Sequence, residues 1–177
     1  MDFRRRGLGW ERARELRLDR AEEMVHIRQM AMLGESAACL RIVGDDLVPE
    51  EITRLLGGTP THFHVKGEQR VSKAAARPRP YKSGMWRLNA KDCIPENVDG
   101  QIEEILGQLT DDLTVWKTLA EDYEIDLFCG WFMTGSNEGL SISPKWLLAL
   151  GSRGIELSLN LYAGSGEDGS GASGEIA

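Results

Sequence analysis

The 177-residue chain is 41% hydrophobic and 28% charged, which suits one compact domain with its own core, and no apolar run approaches the ~20 residues of a membrane-spanning helix. Three widely spaced cysteines, Cys39, Cys93 and Cys129, include no CxxC pair, which argues against a zinc ribbon or a disulfide framework and fits reduced thiols in a cytoplasmic protein. A net charge of −7 disfavours nucleic acid as a default partner.

Residues 1–35 read as an extension. Arg4, Arg5 and Arg6 are followed by no apolar stretch of the kind a targeting signal needs, and the segment holds too many acids for a transit peptide. Good helix formers predominate from Trp10 to Met32, yet Leu16, Met24, Ile27 and Ala31 make only a broken apolar stripe. Two readings stay open: a marginal solvent-exposed helix, or an overextended start with Met24, Met30 or Met32 as the first residue.

Residues 37–43 form a short apolar run with β-branched members, closed by Gly44, and predict a strand. Pro49 then suits a first helical position, Glu50 and Glu51 suit the positive end of the dipole, and Gly57 marks the stop. Ile52, Leu55 and Leu56 share a face of that helix. Residues 61–65 alternate as a strand in which His62 and His64 flank a buried Phe63, and residues 83–90 predict another strand. Pro95 and Glu96 open a second helix, with Val98, Ile102, Ile105, Leu106 and Leu109 at helical spacing. Asp111 and Asp112 break or restart it, and Leu113, Trp116 and Leu119 extend it. Residues 125–133 are apolar on both faces and predict a central strand. Ser143 and Pro144 begin a third helix that ends at Gly151, and Ile155, Leu157, Leu159 and Leu161 alternate as a half-buried strand with one wet face. Residues 164–177 hold five glycines and three serines, too little apolar surface to offset ordering entropy, and are expected to be disordered.

The element order predicts an α+β domain over residues 36–163. Its plan is a ferredoxin-like βαββαβ core with an added helix and strand, the helices packed on one face of a mostly antiparallel sheet. Such scaffolds host unrelated activities, so the plan assigns no function.

Gly44, Pro49-Glu50-Glu51-Ile52, Leu56-Gly57, Pro60, Lys66-Gly67-Glu68 and Gly84-Met85-Trp86 make up a recognisable series, continued by Leu140-Ser141 before Pro144 and by the closing strand. With these residues the chain resembles the bacterial domain of unknown function 4279 over about residues 36–163. The resemblance implies a compact bacterial α+β domain. It brings no established activity and no catalytic residues to carry over.

The chemistry-bearing residues are few. His62 and His64, two apart on a strand, point to one face and are weak candidates for holding a metal, but no third ligand stands near them in sequence. Asp45, Asp46, Glu50 and Glu51 cluster where a helix start attracts acids in any case. Cys129 and Cys39 read as small buried hydrophobes, with Cys93 nearer the surface. No P-loop and no cofactor motif is present. Charge is the stronger signal: residues 66–82 sum to +5, residues 1–35 to +1, residues 164–177 to −3, and the remaining body to −10.

That basic loop is the expected site, with Lys66, Arg70, Lys73, Arg77, Arg79, Tyr81, Lys82 and the neighbouring Trp86 as partner-contacting residues. Of Trp86 and Arg87, alternation sends one to the core and the other out. A solvated hairpin that merely offsets the acidic body is the bland alternative. The expected function is a non-enzymatic, cytoplasmic, protein-binding module, of immunity type for example, that recognises an acidic surface on another bacterial protein. The alternative is a small enzyme or metal-binding protein using His62 or His64. Nucleic-acid binding through the loop is the weakest reading, because the acidic body repels phosphate.

Overall fold

The structure is a computed structural model that describes residues 33–70, 79–135 and 137–163. The elements follow in the order β1 (Glu35–Gly44), α1 (Pro49–Leu56), β2 (His62–His64), β3 (Gln69–Arg70), β4 (Arg79–Pro80) and β5 (Gly84–Asn89). They continue as α2 (Val98–Leu106), α3 (Leu113–Asp122), β6 (Glu124–Phe132), α4 (Pro144–Ser152) and β7 (Glu156–Tyr162). The expectations for most of the N-terminal extension and for the tail, and the candidates Lys73 and Arg77, lie outside the described residues.

Local chemistry explains where the helices begin and end. Pro49 occupies the first position of α1 with Glu50 and Glu51 in its first turn, and Gly57 closes it at φ 81°, its N–H donating to the Thr53 carbonyl. The Asn97 side chain caps α2 by accepting the Gly100 N–H at 3.1 Å. Asp112 accepts the Thr114 N–H at 2.8 Å, so it restarts the chain as a separate helix, α3. Pro144 opens α4, which runs to Ser152, one residue beyond Gly151.

Five strands pair in the order β2-β5-β1-β6-β7, antiparallel throughout except for β6 and β7, which run parallel and are joined through α4. The β1–β6 ladder is the longest antiparallel pairing, from Glu35 opposite Phe132 to Val43 opposite Glu124. The β3 and β4 pair forms a separate two-stranded ribbon. The domain is therefore α+β, with four helices and a mostly antiparallel five-stranded sheet among the described residues.

Strand alternation divides this sheet into two unequal faces. Leu40 and Ile42 of β1, Trp86 and Leu88 of β5, and Ile125, Leu127 and Cys129 of β6 are buried on one of them. They share a single core with Ile52 and Leu56 of α1, Ile102 and Ile105 of α2, Trp116 and Leu119 of α3, and Leu150 of α4. Each large side chain so buried is worth about 1.5–3 kcal/mol against exposure, and all four helices thus draw their attachment from the same sheet face. On the other face Ala37, Cys39, Arg41 and Val43 of β1 are only half-buried.

Three expectations are corrected here. Phe63 is 52% exposed whereas His64 is 6% exposed, because β2 places Phe63 opposite Trp86 on the helix side, beyond the cover of the helices. Both histidines lie instead on the second face, where His62 stands opposite Arg87. The closing strand is wet on both faces: β7 is the outermost strand, and Leu159 and Leu161 on its helix side remain exposed. Residues 124–132 do form an inner strand, but its second face carries no helix among the described residues.

One polar cluster lies within this packing. Gln101 of α2 is buried and accepts from Ser36 Oγ at 2.8 Å, while its amide donates to the carbonyls of Ser36 at 2.9 Å and Lys91 at 2.7 Å. Ser36 Oγ also accepts the Asn97 N–H at 3.1 Å, and the Ser36 backbone exchanges two hydrogen bonds with Cys93. The start of β1, the 91–97 segment and α2 are tied at one point. Gln101→Met keeps the volume but strips the buried Ser36 carbonyl and the Lys91 carbonyl of a donor, so it should lower stability in urea melts by about 1–3 kcal/mol. Glu103→Gln, on the exposed side of the same helix, should stay within about 0.5 kcal/mol of the parent.

Candidate functional site

The second sheet face, which carries no helix among the described residues, is finished by long side chains. Arg41 donates to Asp126 twice, Nε to Oδ1 at 2.9 Å and Nη2 to Oδ2 at 2.5 Å, and its guanidinium lies 4.3 Å from the centroid of the Phe128 ring. Arg87 stands directly opposite Arg41 across the β1–β5 pair. With Arg41 already committed to Asp126, Arg87 is left with a buried Nε that has no hydrogen-bond partner among the described residues. Facing like charges destabilise a strand pair unless each is compensated.

A cavity of about 150 Å³ opens beside Arg87 on this face. Ala37 and Cys39 of β1 and Gly130 of β6 line it with small side chains, and Phe128 and Phe132 of β6 and Tyr162 of β7 line it with rings. The Phe132 and Tyr162 rings stack with centroids 4.7 Å apart and planes within 6°. Arg87, Asn89 and Asp92 complete the polar lining. The Cys39 thiol is pushed up by burial, an effect opposed by nearby Arg87 and Arg41. On the helix side, full burial pushes Cys129 up to about 12, the state of a packing thiol and not of a nucleophile.

The basic segment is a hairpin ribbon at its described ends. Gly67 donates to the Tyr81 carbonyl and Tyr81 to the Glu68 carbonyl, both at 2.9 Å, and Arg70 pairs in register with Arg79. Both arginines are exposed, and neither forms an ion pair among the described residues. Lys66 instead bonds Asp45 at 2.5 Å, so its charge is partly spent on the acidic turn after β1. Lys82 is exposed. The Tyr81 ring lies flat on His64, with centroids 3.5 Å apart and planes within 13°.

Trp86 does not belong with these residues, contrary to expectation. It has no exposed surface, sits in the core, and donates its indole N–H to Thr53 Oγ1 at 3.0 Å. The neighbour that turns outward is Arg87. His62 and His64 lie with ring centroids 5.6 Å apart, and neither lines the cavity. No group of three His, Cys, Asp or Glu side chains among the described residues is placed to hold a metal ion. The cavity residues were not singled out by sequence reasoning. The signal that could have found them is the second apolar face of residues 124–132, read as covered when it is in fact a wall.

Burial lowers the pKa of His64 below 6.5, helped by the neighbouring charges of His62, Arg70 and Arg87 and opposed by Glu68. A histidine held neutral in the fold contributes stability in full above its unfolded pKa. That contribution is lost as pH falls through the unfolded and then the folded value. The parent should therefore lose stability as pH falls through about 6.5 and below, and His64→Gln should flatten that slope in denaturant titrations at matched pH.

No helix among the described residues is long and apolar enough to cross a membrane. No curated protein and no solved structure matches the chain. Residues 34–164 match the family described as a domain of unknown function, DUF4279. That match takes in all four strands that line the cavity, the ribbon and the buried Ser36–Gln101 cluster, and the chain belongs to the DUF4279 family.

Proposed function

We propose that this domain is a non-enzymatic binding module of the bacterial cytoplasm that recognises an acidic surface on another protein through its basic ribbon. The observation that carries the reading is the register of β3 and β4, which sets Arg70 directly opposite Arg79 at the surface, with no ion pair to either among the described residues. Two facing guanidinium groups repel, and a carboxylate from a partner relieves that repulsion while gaining two charge-assisted hydrogen bonds. Tyr81, seated on His64, gives the ribbon a rigid aromatic base. Among the described residues the cysteines are free, which is in keeping with a reducing compartment.

We also read the core as ferredoxin-like. In support, β2, β5, β1 and β6 are adjacent in that order and antiparallel. One helix separates the first two strands in sequence and two helices separate the last two, with α4 and β7 as the addition.

A pull-down from bacterial lysate compares the parent with the Arg70, Lys73, Arg77 and Arg79 quadruple alanine variant. Acidic proteins retained by the parent should be lost from the variant, and should elute from the parent as salt rises through the range where exposed ion pairs are screened. Retention of the same proteins by the variant, or no acidic protein on the parent at low salt, would overturn the reading.

A further inference from the structure

The cavity on the open sheet face is separate from the ribbon and has its own chemistry. Its middle is apolar: the stacked Phe132 and Tyr162 rings and Phe128 line it together with Ala37, Cys39 and Gly130. Gly130 is what leaves the room, since a side chain there would start 3.4 Å from the Phe132 ring and 3.6 Å from Tyr162, inside the space the rings enclose. A volume of about 150 Å³ holds a single six-membered ring.

The ends of the cavity differ in charge. In the β1–β5 pairing Cys39 lies opposite Asn89 and Arg41 opposite Arg87, so Arg87 marks one end along the strand, and Asp92, past the end of β5, marks the other. At the first end Arg41 is neutralised by Asp126, whereas Arg87 has a buried, unpartnered Nε among the described residues. A buried guanidinium N–H without an acceptor calls for an anionic oxygen, and the planar fork of arginine suits a carboxylate. Asp92 repels a carboxylate from the far end and so sets its orientation.

We propose that this cavity is a binding site for a small monocyclic aromatic carboxylate. The ring packs among Phe128, Phe132 and Tyr162, and the carboxylate accepts from Arg87 with Asn89 beside it. Aromatic walls with a few convergent polar groups are the usual make-up of a small-molecule site.

Benzoate is the probe, followed by amide NMR. It should bind saturably, with shifts centred on Cys39, Arg87 and Gly130. Benzyl alcohol, which keeps the ring, and acetate, which keeps the charge, should each bind at least about tenfold more weakly. Arg87→Gln should weaken benzoate about tenfold, and Ala37→Leu, which fills the floor, should abolish binding while leaving the amide spectrum folded. Arg70→Glu with Arg79→Glu should leave benzoate affinity unchanged, which separates this site from the ribbon. Benzyl alcohol or acetate binding as well as benzoate, shifts centred elsewhere, or undiminished binding by a folded Ala37→Leu variant would each overturn the proposal.

Discussion

Among the described residues, four helices attach to one face of a five-stranded sheet and the opposite face is finished by side chains alone. An antiparallel sheet tolerates this, because its backbone is already paired and only the side chains meet water. The solutions used here share one form. Arg41 lies on Phe128, Tyr81 on His64, and Phe132 against Tyr162, so that each apolar surface is covered by a neighbour carrying a polar tip or a second ring. Where the underlying residues are small, at Ala37, Cys39 and Gly130, no such cover reaches across, and the cavity is the result. Cover and gap thus follow from the same asymmetry.

The charge distribution follows the same division. The ribbon leaves the sheet beyond β2 and is anchored at its base by backbone bonds between Gly67, Glu68 and Tyr81. Lys66 reaches to Asp45, a link between the positive segment and the acidic turn after β1. Both groups are well exposed, so this pair orients more than it stabilises. Arg70 and Arg79, farther along the ribbon, form no such pair among the described residues, so they and not Lys66 keep their charge available.

Much of this fold was legible in the chain because helix signals are local. Pro49, Gly57, Asp112 and Pro144 act on their own neighbours, and helices start or stop within a residue of them, whereas the second helix begins at Val98 under the Asn97 cap and not at Pro95 and Glu96. Alternation likewise located the strands, but it specifies two faces without saying which of them other elements will cover. That is decided by pairing over long separations. Phe63 looked like the buried member of a His-Phe-His triplet until its register with Trp86 set it beyond the helices and turned the histidines to the other side. Trp86 itself looked available because it follows a basic loop, yet its strand parity commits it to the core. The ribbon's charge was a matter of composition and could be counted. The cavity draws on β1, β5, β6 and β7, and no window of sequence contains it.

The Ser36–Gln101 cluster has a consequence for how the sheet aligns. Moving β1 by one residue exchanges its apolar and polar faces, and the core rejects that directly. Moving it by two restores the alternation, and the apolar core then registers the error only through size, with Ala38 or Ile42 in the place of Leu40. In the shifted alignment, however, Ala38 or Gly34 would meet Gln101 in place of Ser36, and a buried carboxamide would lose its hydroxyl donor while the Asn97 N–H lost its acceptor. The cluster therefore acts as a checksum on strand alignment, since its hydrogen bonds are all made in one register only.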